Sequence, residues 1–123
     1  MASFITIITS KVMCSAQAVD KAATGYSTAI DFRRCTGETA VLLKTTAGTI
    51  AVTQQCSVDN VNWYDPTDAL DIAVGSVVAA QTVSTGRWIA FSPVPCNYLR
   101  FKIVEANSAA TVVTLTLIDR EQA

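Results

Sequence analysis

The chain has 123 residues, of which 50% are hydrophobic and 15% are charged, and its formal net charge at pH 7 is −1. This length suits a single domain, residues 1–123, and the composition excludes a disordered or highly charged protein. A near-neutral chain lacks the basic surplus that binds nucleic acid or anionic membranes, so we expect neither partner.

The chain contains no histidine. It therefore lacks the commonest general base and metal ligand, and neither a nucleophile elbow nor a phosphate-binding glycine loop occurs. We expect a protein that is not an enzyme and has no cofactor. Val, Ile and Thr make up 39 of the 123 residues, and these β-branched types favour sheets over helices.

The N-terminal region begins with a β-like run, Phe4 to Thr9, and resembles no signal peptide because it has neither a basic start nor a long apolar stretch. The following segment, Lys11 to Ala23, is rich in alanine and shows no alternation, so a strand, an arm and a short helix all stay open. Residues 1–23 and 119–123 lack a core pattern and are candidates for arms that reach a neighbouring molecule, with a plain connection as the alternative for the N-terminal part.

The middle of the chain alternates between apolar and polar residues with a period of two, which is typical of half-buried strands. Tyr26 to Arg34 is predicted as one strand. Thr39 to Thr46 and Thr49 to Val58 are predicted as two more, joined as a hairpin through Ala47 and Gly48.

The second half contains a polar loop from Asp59 to Asp71 and an ambiguous stretch from Ala69 to Val83. Three further strands are predicted at Arg87 to Ser92, Tyr98 to Glu105 and Ala110 to Asp119. The total is about eight short strands. Clean alternation favours antiparallel sheets with one wet face, so the sequence predicts an all-β fold, a single antiparallel jelly-roll-like β-sandwich.

Three sequence pieces follow one another in the second half: Cys56 to Asp65, Gly86 to Phe91 and Asn97 to Val104, with an alternating strand after them. Their order resembles the discoidin-like β-sandwich, in which a turn of the form S-x-D-G-x-x-W precedes a strand of the form Y-[VL]-R-[FIL]. The chain is similar in this respect to capsid decoration (cement) proteins and other virion structural proteins of tailed bacteriophages. Within the turn, Asn60 stands in place of glycine and is expected to adopt positive φ, while Trp63 packs the turn onto the sandwich.

The four cysteines, Cys14, Cys35, Cys56 and Cys96, form no C-x-x-C pair and so give no local support to a zinc or redox motif. Two disulfides in any of three pairings, or four reduced thiols packed as small apolar groups, are both compatible with the sequence; we favour reduced thiols.

Oxygen-bearing side chains cluster between Asp59 and Asp71, and such loops bind calcium in other proteins. Their spacing does not match the EF-hand loop. We favour a solvated loop with Asx turns over a calcium site.

Four residues are candidates for a protein interface: Trp88, Arg87, Tyr64 and Arg100. Trp88 is expected to be exposed if Ile89 and Phe91 face the core, and a large exposed aromatic ring usually marks a partner surface. The alternatives are a place in the core for Trp88 and a sugar-stacking platform formed by Trp63, Tyr64, Trp88 and Tyr98.

The resemblance implies a structural protein of the virion, assembled in the host cytoplasm. We expect it to stabilise the phage head as a homo-oligomer, such as a trimer, in contact with the major capsid protein. A carbohydrate-binding adhesion module and a tail or baseplate component are the alternatives.

Overall fold

A computed structural model describes residues 6–35, 39–67, 76–80 and 86–122. These residues contain nine β-strands and no helix, so no helix in them is long and apolar enough to cross a bilayer. The strands are β1 (Thr6–Val19), β2 (Thr24–Tyr26), β3 (Ile30–Asp31), β4 (Thr39–Thr45), β5 (Ile50–Ser57), β6 (Ser76–Ala80), β7 (Arg87–Phe91), β8 (Tyr98–Glu105) and β9 (Thr111–Gln122).

The strands form two antiparallel sheets. The four-stranded sheet has the order β1-β9-β4-β7, and the five-stranded sheet has the order β2-β8-β5-β6 with β3 also paired to β8. If β2 and β3 are taken as one interrupted strand, the pairs β1/β9, β2–β3/β8, β4/β7 and β5/β6 are nested like a long hairpin rolled into two layers. This is the topology of a jelly roll, and it confirms the predicted all-β sandwich.

The core lies between the two sheets and is built by alternating residues of their central strands. Leu99, Phe101 and Ile103 of β8 are fully buried. Val113, Leu115 and Leu117 of β9 are also fully buried, as the alternation predicted, while the side chains between them point outward. Phe91 of β7 meets Phe101 edge to face, with ring centroids 6.0 Å apart.

The predicted hairpin between Thr39–Thr46 and Thr49–Val58 is wrong. β4 lies in one sheet and β5 in the other, so the turn at Ala47 and Gly48 carries the chain across the sandwich. A glycine turn marks a change of direction but does not say whether the next strand pairs with the last one. Gly48 has a φ of +71°, and a Cβ there would lie 2.8 Å from both Ala109 O and Glu105 Oε2.

The N-terminal region forms a strand in the part that the structure describes. Residues 6–19 pair with β9 along their length, and β9 itself extends to Gln122. The arms expected over residues 1–23 and 119–123 are therefore corrected to paired strands over 6–19 and 119–122; residues 1–5 and 123 lie outside the described residues. Register shifts flank Cys14, and Ala16 has a φ of 49°. These bulges interrupt the period of two, which is why no alternation is visible.

The predicted strand from Tyr26 to Arg34 is interrupted. A continuous strand would place Tyr26 and Phe32 on one face and Ser27 on the other. Residues 27–29 leave the ladder, however, and Phe32 is buried, Tyr26 is exposed and Ser27 is buried. The Ser27 hydroxyl accepts the N–H of Phe101 at 2.8 Å, which fixes the interruption against β8. Of the ambiguous stretch from Ala69 to Val83, residues 76–80 form β6 beside β5, and the rest lies outside the described residues.

Candidate interaction surfaces

The outer side of the four-stranded sheet carries an unusually apolar set of side chains. Residues directly opposite each other in an antiparallel pair point to the same side. One row across the sheet joins Val12, Thr116, Leu42 and Trp88, and the next joins Ser10, Ile118, Ala40 and Ala90. We call the outward side chains Ile8, Val12, Ala40, Leu42, Trp88, Ala90 and Ile118 the apolar face.

Solvent reaches the largest members of the apolar face. Trp88 is 64% exposed, Ile8 71% and Val12 62%. A shallow depression of about 230 Å³ lies beside Trp88, with Ile8, Ala90 and Ile118 in its lining. Strand alternation produces this arrangement, because Ile89 and Phe91 are turned toward the core and leave Trp88 outside.

Charged side chains are sparse on this side of the sheet. Among the described residues that the register places outward, Lys44 and Arg120 are charged, and they stand near opposite ends of the sheet. The interface candidate Arg87 lies opposite the buried Leu43, so its side chain is on the inner side of the sheet and not on the apolar face. It is nevertheless exposed, because it stands at the start of the strand.

The outer side of the five-stranded sheet is organised around Arg100. Its guanidinium lies 4.2 Å from the ring centroid of Tyr26 and 4.5 Å from that of Trp63, so it is held between two aromatic faces. Arg100 Nε donates to Gln55 Oε1 at 2.7 Å, and Gln55 Nε2 donates to Asp65 Oδ1 at 2.9 Å. Trp63 thus packs the loop onto the sheet, as expected, through Arg100.

The guanidinium of Arg100 is thus occupied by contacts with other side chains of the same protein. The Gln55 amide and the Lys102 ammonium that bond to Asp65 hold the pKa of that carboxyl below its ordinary value, against the opposing effect of burial. Tyr64, which is 64% exposed, follows Trp63 on the same loop. The four interface candidates are therefore not one site, because Trp88 and Tyr64 belong to opposite sheets.

The loop after β5 is closed by its own side chains. Asn60 has a φ of 61°, as predicted for the glycine position of the turn. Asp59 Oδ1 accepts the N–H groups of Val61 and Asn62, each at 2.9 Å. These donors, with that of Asn62 the strongest, hold the pKa of Asp59 well below its usual range.

The calcium alternative gains no support from the described part of this loop. The Asp59 carboxylate is taken up by the Asx turn, and the described residues contain no group of three or more acidic, cysteine or histidine side chains that could hold a metal. Asp68 and Asp71 lie outside the described residues.

A pocket of about 760 Å³ opens at one end of the sandwich, which we call the end pocket. Its lining includes Phe32, Cys35, Pro93, Val94 and Cys96. Beneath it, the fully buried Gln54 donates through Nε2 to Val94 O and accepts the Val94 N–H through Oε1, both at 2.8 Å. This amide therefore fastens the segment between β7 and β8 onto β5.

Sequence reasoning missed Gln54 and the thiols around it. Gln54 faces inward where Ile50 and Val52 suggested a purely apolar side, and Cys96 is distant along the chain. It also missed Ile8 and Val12 on the apolar face. A signal was present for these two, since Ile8, Ser10 and Val12 are spaced by two residues, but the opposite side of β1 is not uniformly apolar.

The similarity of this chain to known proteins is a similarity of fold. No protein-family model and no curated protein matches the sequence. Among solved structures, the chain is similar to the SPBc2 prophage-derived protein YomS, with a TM-score of 0.55 and 11% identity. The match covers 97% of this chain and 99% of YomS, so the likeness extends over the whole sandwich.

Proposed function

We propose that this protein is a non-enzymatic structural component of a tailed-phage virion, with capsid decoration as its role. The apolar face is the observation that carries the proposal. A face of this kind costs free energy while water covers it, and a protein partner removes that cost. The partners we propose are the major capsid protein and other copies of this chain.

The energy available to such a contact is substantial. Trp88 leaves 64% of its surface in water. A large aromatic side chain presents about 200 Å², so covering this fraction contributes roughly 3 kcal/mol before the costs of association. Repetition of the same contact over a symmetric shell strengthens attachment further, because neighbouring contacts act together.

The phage assignment rests on two further supports. The chain resembles tailed-phage virion proteins in its turn and strand motifs, and its fold is similar to that of a prophage-derived protein. Jelly rolls are also a common architecture of viral shells. The small size of the chain and the apolar face of its described residues support decoration as the specific role.

The test is reattachment of purified protein to particles that lack it, produced from the genome that encodes this chain. Trp88→Ala should weaken attachment by about 30-fold or more, the usual effect of losing a central aromatic contact. Tyr64→Ala is the matched control, since Tyr64 is equally exposed at 64% but lies on the other sheet. Equal affinity of wild type and Trp88→Ala would overturn the assignment of the apolar face.

Two alternatives predict different outcomes. A tail or baseplate component would use the same physics, and immunogold labelling of particles would then decorate tails and leave heads unlabelled. A carbohydrate-binding module would bind a glycan array in a manner that depends on Trp88. The geometry favours this less, because Trp88 and Tyr64 form no common platform and Arg100 stacks on Trp63.

A further inference from the structure

Two cysteines and one buried amide meet under the end pocket. Gln54 Nε2 lies 3.3 Å from Cys56 Sγ and 3.4 Å from Cys96 Sγ. Both sulfurs thus contact the same amide nitrogen. The two sulfurs are therefore neighbours, although 40 positions separate these residues in the sequence.

The surroundings of the two sulfurs differ. The Cys56 thiol, the Gln54 amide, which lies 3.4 Å from Cys96 Sγ, and the backbone N–H of Ser57 hold the pKa of Cys96 below its ordinary value, against the effect of burial. The neighbouring Cys96 sulfur and then burial raise the pKa of Cys56. Cys96 also lines the end pocket, where a small reagent can approach it. Such an environment favours attack by the thiolate of Cys96.

We propose that Cys56 and Cys96 are a redox-active pair that closes to a disulfide when the protein meets a low-molecular-weight disulfide. The Cys96 thiolate attacks one sulfur of the reagent, the S–S bond of the reagent breaks, and one thiolate leaves. Cys56 then loses its proton and attacks the Cys96 sulfur, which releases the second thiolate. The protein loses two electrons, and the reagent gains them as two thiols.

Closure of this pair acts on the segment that joins the two sheets. Residues 92–97 run from β7 of the four-stranded sheet to β8 of the five-stranded sheet, and Gln54 already fastens them to β5. A covalent bond at the same place restricts the unfolded chain, so we expect the Tm to rise by on the order of 10 °C. The pair lies apart from the apolar face, and its test is independent of particle attachment.

The other two cysteines serve as internal comparisons. Cys14 is buried, its thiol donates to Val113 O at 3.6 Å, and burial raises its pKa, so it should react slowly. Cys35 lines the same end pocket as Cys96 and is the rival partner.

The experiment uses oxidised glutathione as the probe and the full chain as the substrate. Trypsin, which cuts after lysine and arginine, places the four cysteines in four separate peptides, with Cys56 in residues 45–87 and Cys96 in residues 88–100. After incubation, alkylation and digestion without reduction, mass spectrometry should find these two peptides joined. The joined species should disappear on reduction with dithiothreitol, and oxidised protein should show the higher Tm.

Variants separate the two steps. Cys56→Ser should stop at a mixed disulfide between Cys96 and glutathione, whereas Cys96→Ser should leave Cys56 largely unmodified. The Cys35→Ser variant should still form the disulfide between Cys56 and Cys96. The proposal is overturned if the wild type forms no 56–96 link, or if Cys96 is joined mainly to Cys35. Peptide mapping of the wild type decides the matter even if a serine variant fails to fold.

Discussion

Replacement of Gln54 by leucine tests the fastening of the segment between β7 and β8. Leucine has a similar size, but it removes the partners of the Val94 N–H and C=O, each of which bonds to the Gln54 side chain at 2.8 Å. An unpaired buried polar group costs about 1–3 kcal/mol. Val94 is half-buried beside the open end pocket, and water can reach it in part. We therefore expect a loss of roughly 2–4 kcal/mol in the free energy of unfolding.

Thermal and urea unfolding measure this loss directly. For a chain of this length, 1 kcal/mol corresponds to about 4 °C, so the Tm should fall by about 10 °C. Thr53→Val, one residue earlier on the outward side of β5, is the matched control and should change stability by less than about 0.5 kcal/mol. Hydrogen exchange at the Val94 amide should also accelerate. Unchanged stability and unchanged exchange in Gln54→Leu would refute the reasoning.

Three further predictions concern backbone conformation and pH. Gly48→Ala should lower the free energy of unfolding by about 2–4 kcal/mol, because alanine would have to adopt a positive φ and its Cβ would lie 2.8 Å from Ala109 O. A loss of less than about 1 kcal/mol in urea unfolding would contradict this. Asn60→Gly should keep wild-type stability, whereas Asn60→Val should lose about 1–3 kcal/mol, because a β-branched residue resists a φ of 61°. Glu105 is buried; burial raises the pKa of its carboxyl, but N–H donors led by that of Thr49 outweigh this and hold the pKa below its ordinary value of 4.5. The ionised carboxylate therefore stabilises the fold fully above about pH 5, and this stabilisation is lost as the pH falls below 4.5 through the folded-state pKa. The difference in urea midpoint between wild type and Glu105→Gln should accordingly shrink from pH 7 to pH 3. A constant difference would exclude that linkage.

The fold could be predicted from the sequence wherever one side of a strand is buried and the other is wet. Leu99, Phe101 and Ile103 alternate with charged neighbours, and the bounds predicted for β8, Tyr98 to Glu105, are those of the structure. The alternation in β7 also predicted that Trp88 would be exposed. Local turn chemistry was equally informative, since Asn60 adopts the positive φ expected of it.

The remainder depends on long-range pairing, which local patterns do not contain. β4 and β5 lie in different sheets of this jelly roll, so the turn at Gly48 was misinterpreted as a hairpin. The bulges around Cys14 and Ala16 hid β1, and with it the contribution of Ile8 to the apolar face. Gln54 meets Cys96 because β8, which begins two residues after Cys96, pairs with β5, and no spacing in the sequence marks that long-range pairing.

Burial of the apolar face in the assembled particle is the central claim, and hydroxyl-radical footprinting tests it most directly. Free protein and purified particles that carry it would be oxidised in parallel and compared residue by residue with mass spectrometry. Trp88 and Tyr64 are equally exposed in the free chain, at 64% each. We expect oxidation of Trp88 to fall at least several-fold in the particle while Tyr64 stays reactive. Equal labelling of Trp88 in both states, or protection of Tyr64 alone, would contradict the claim.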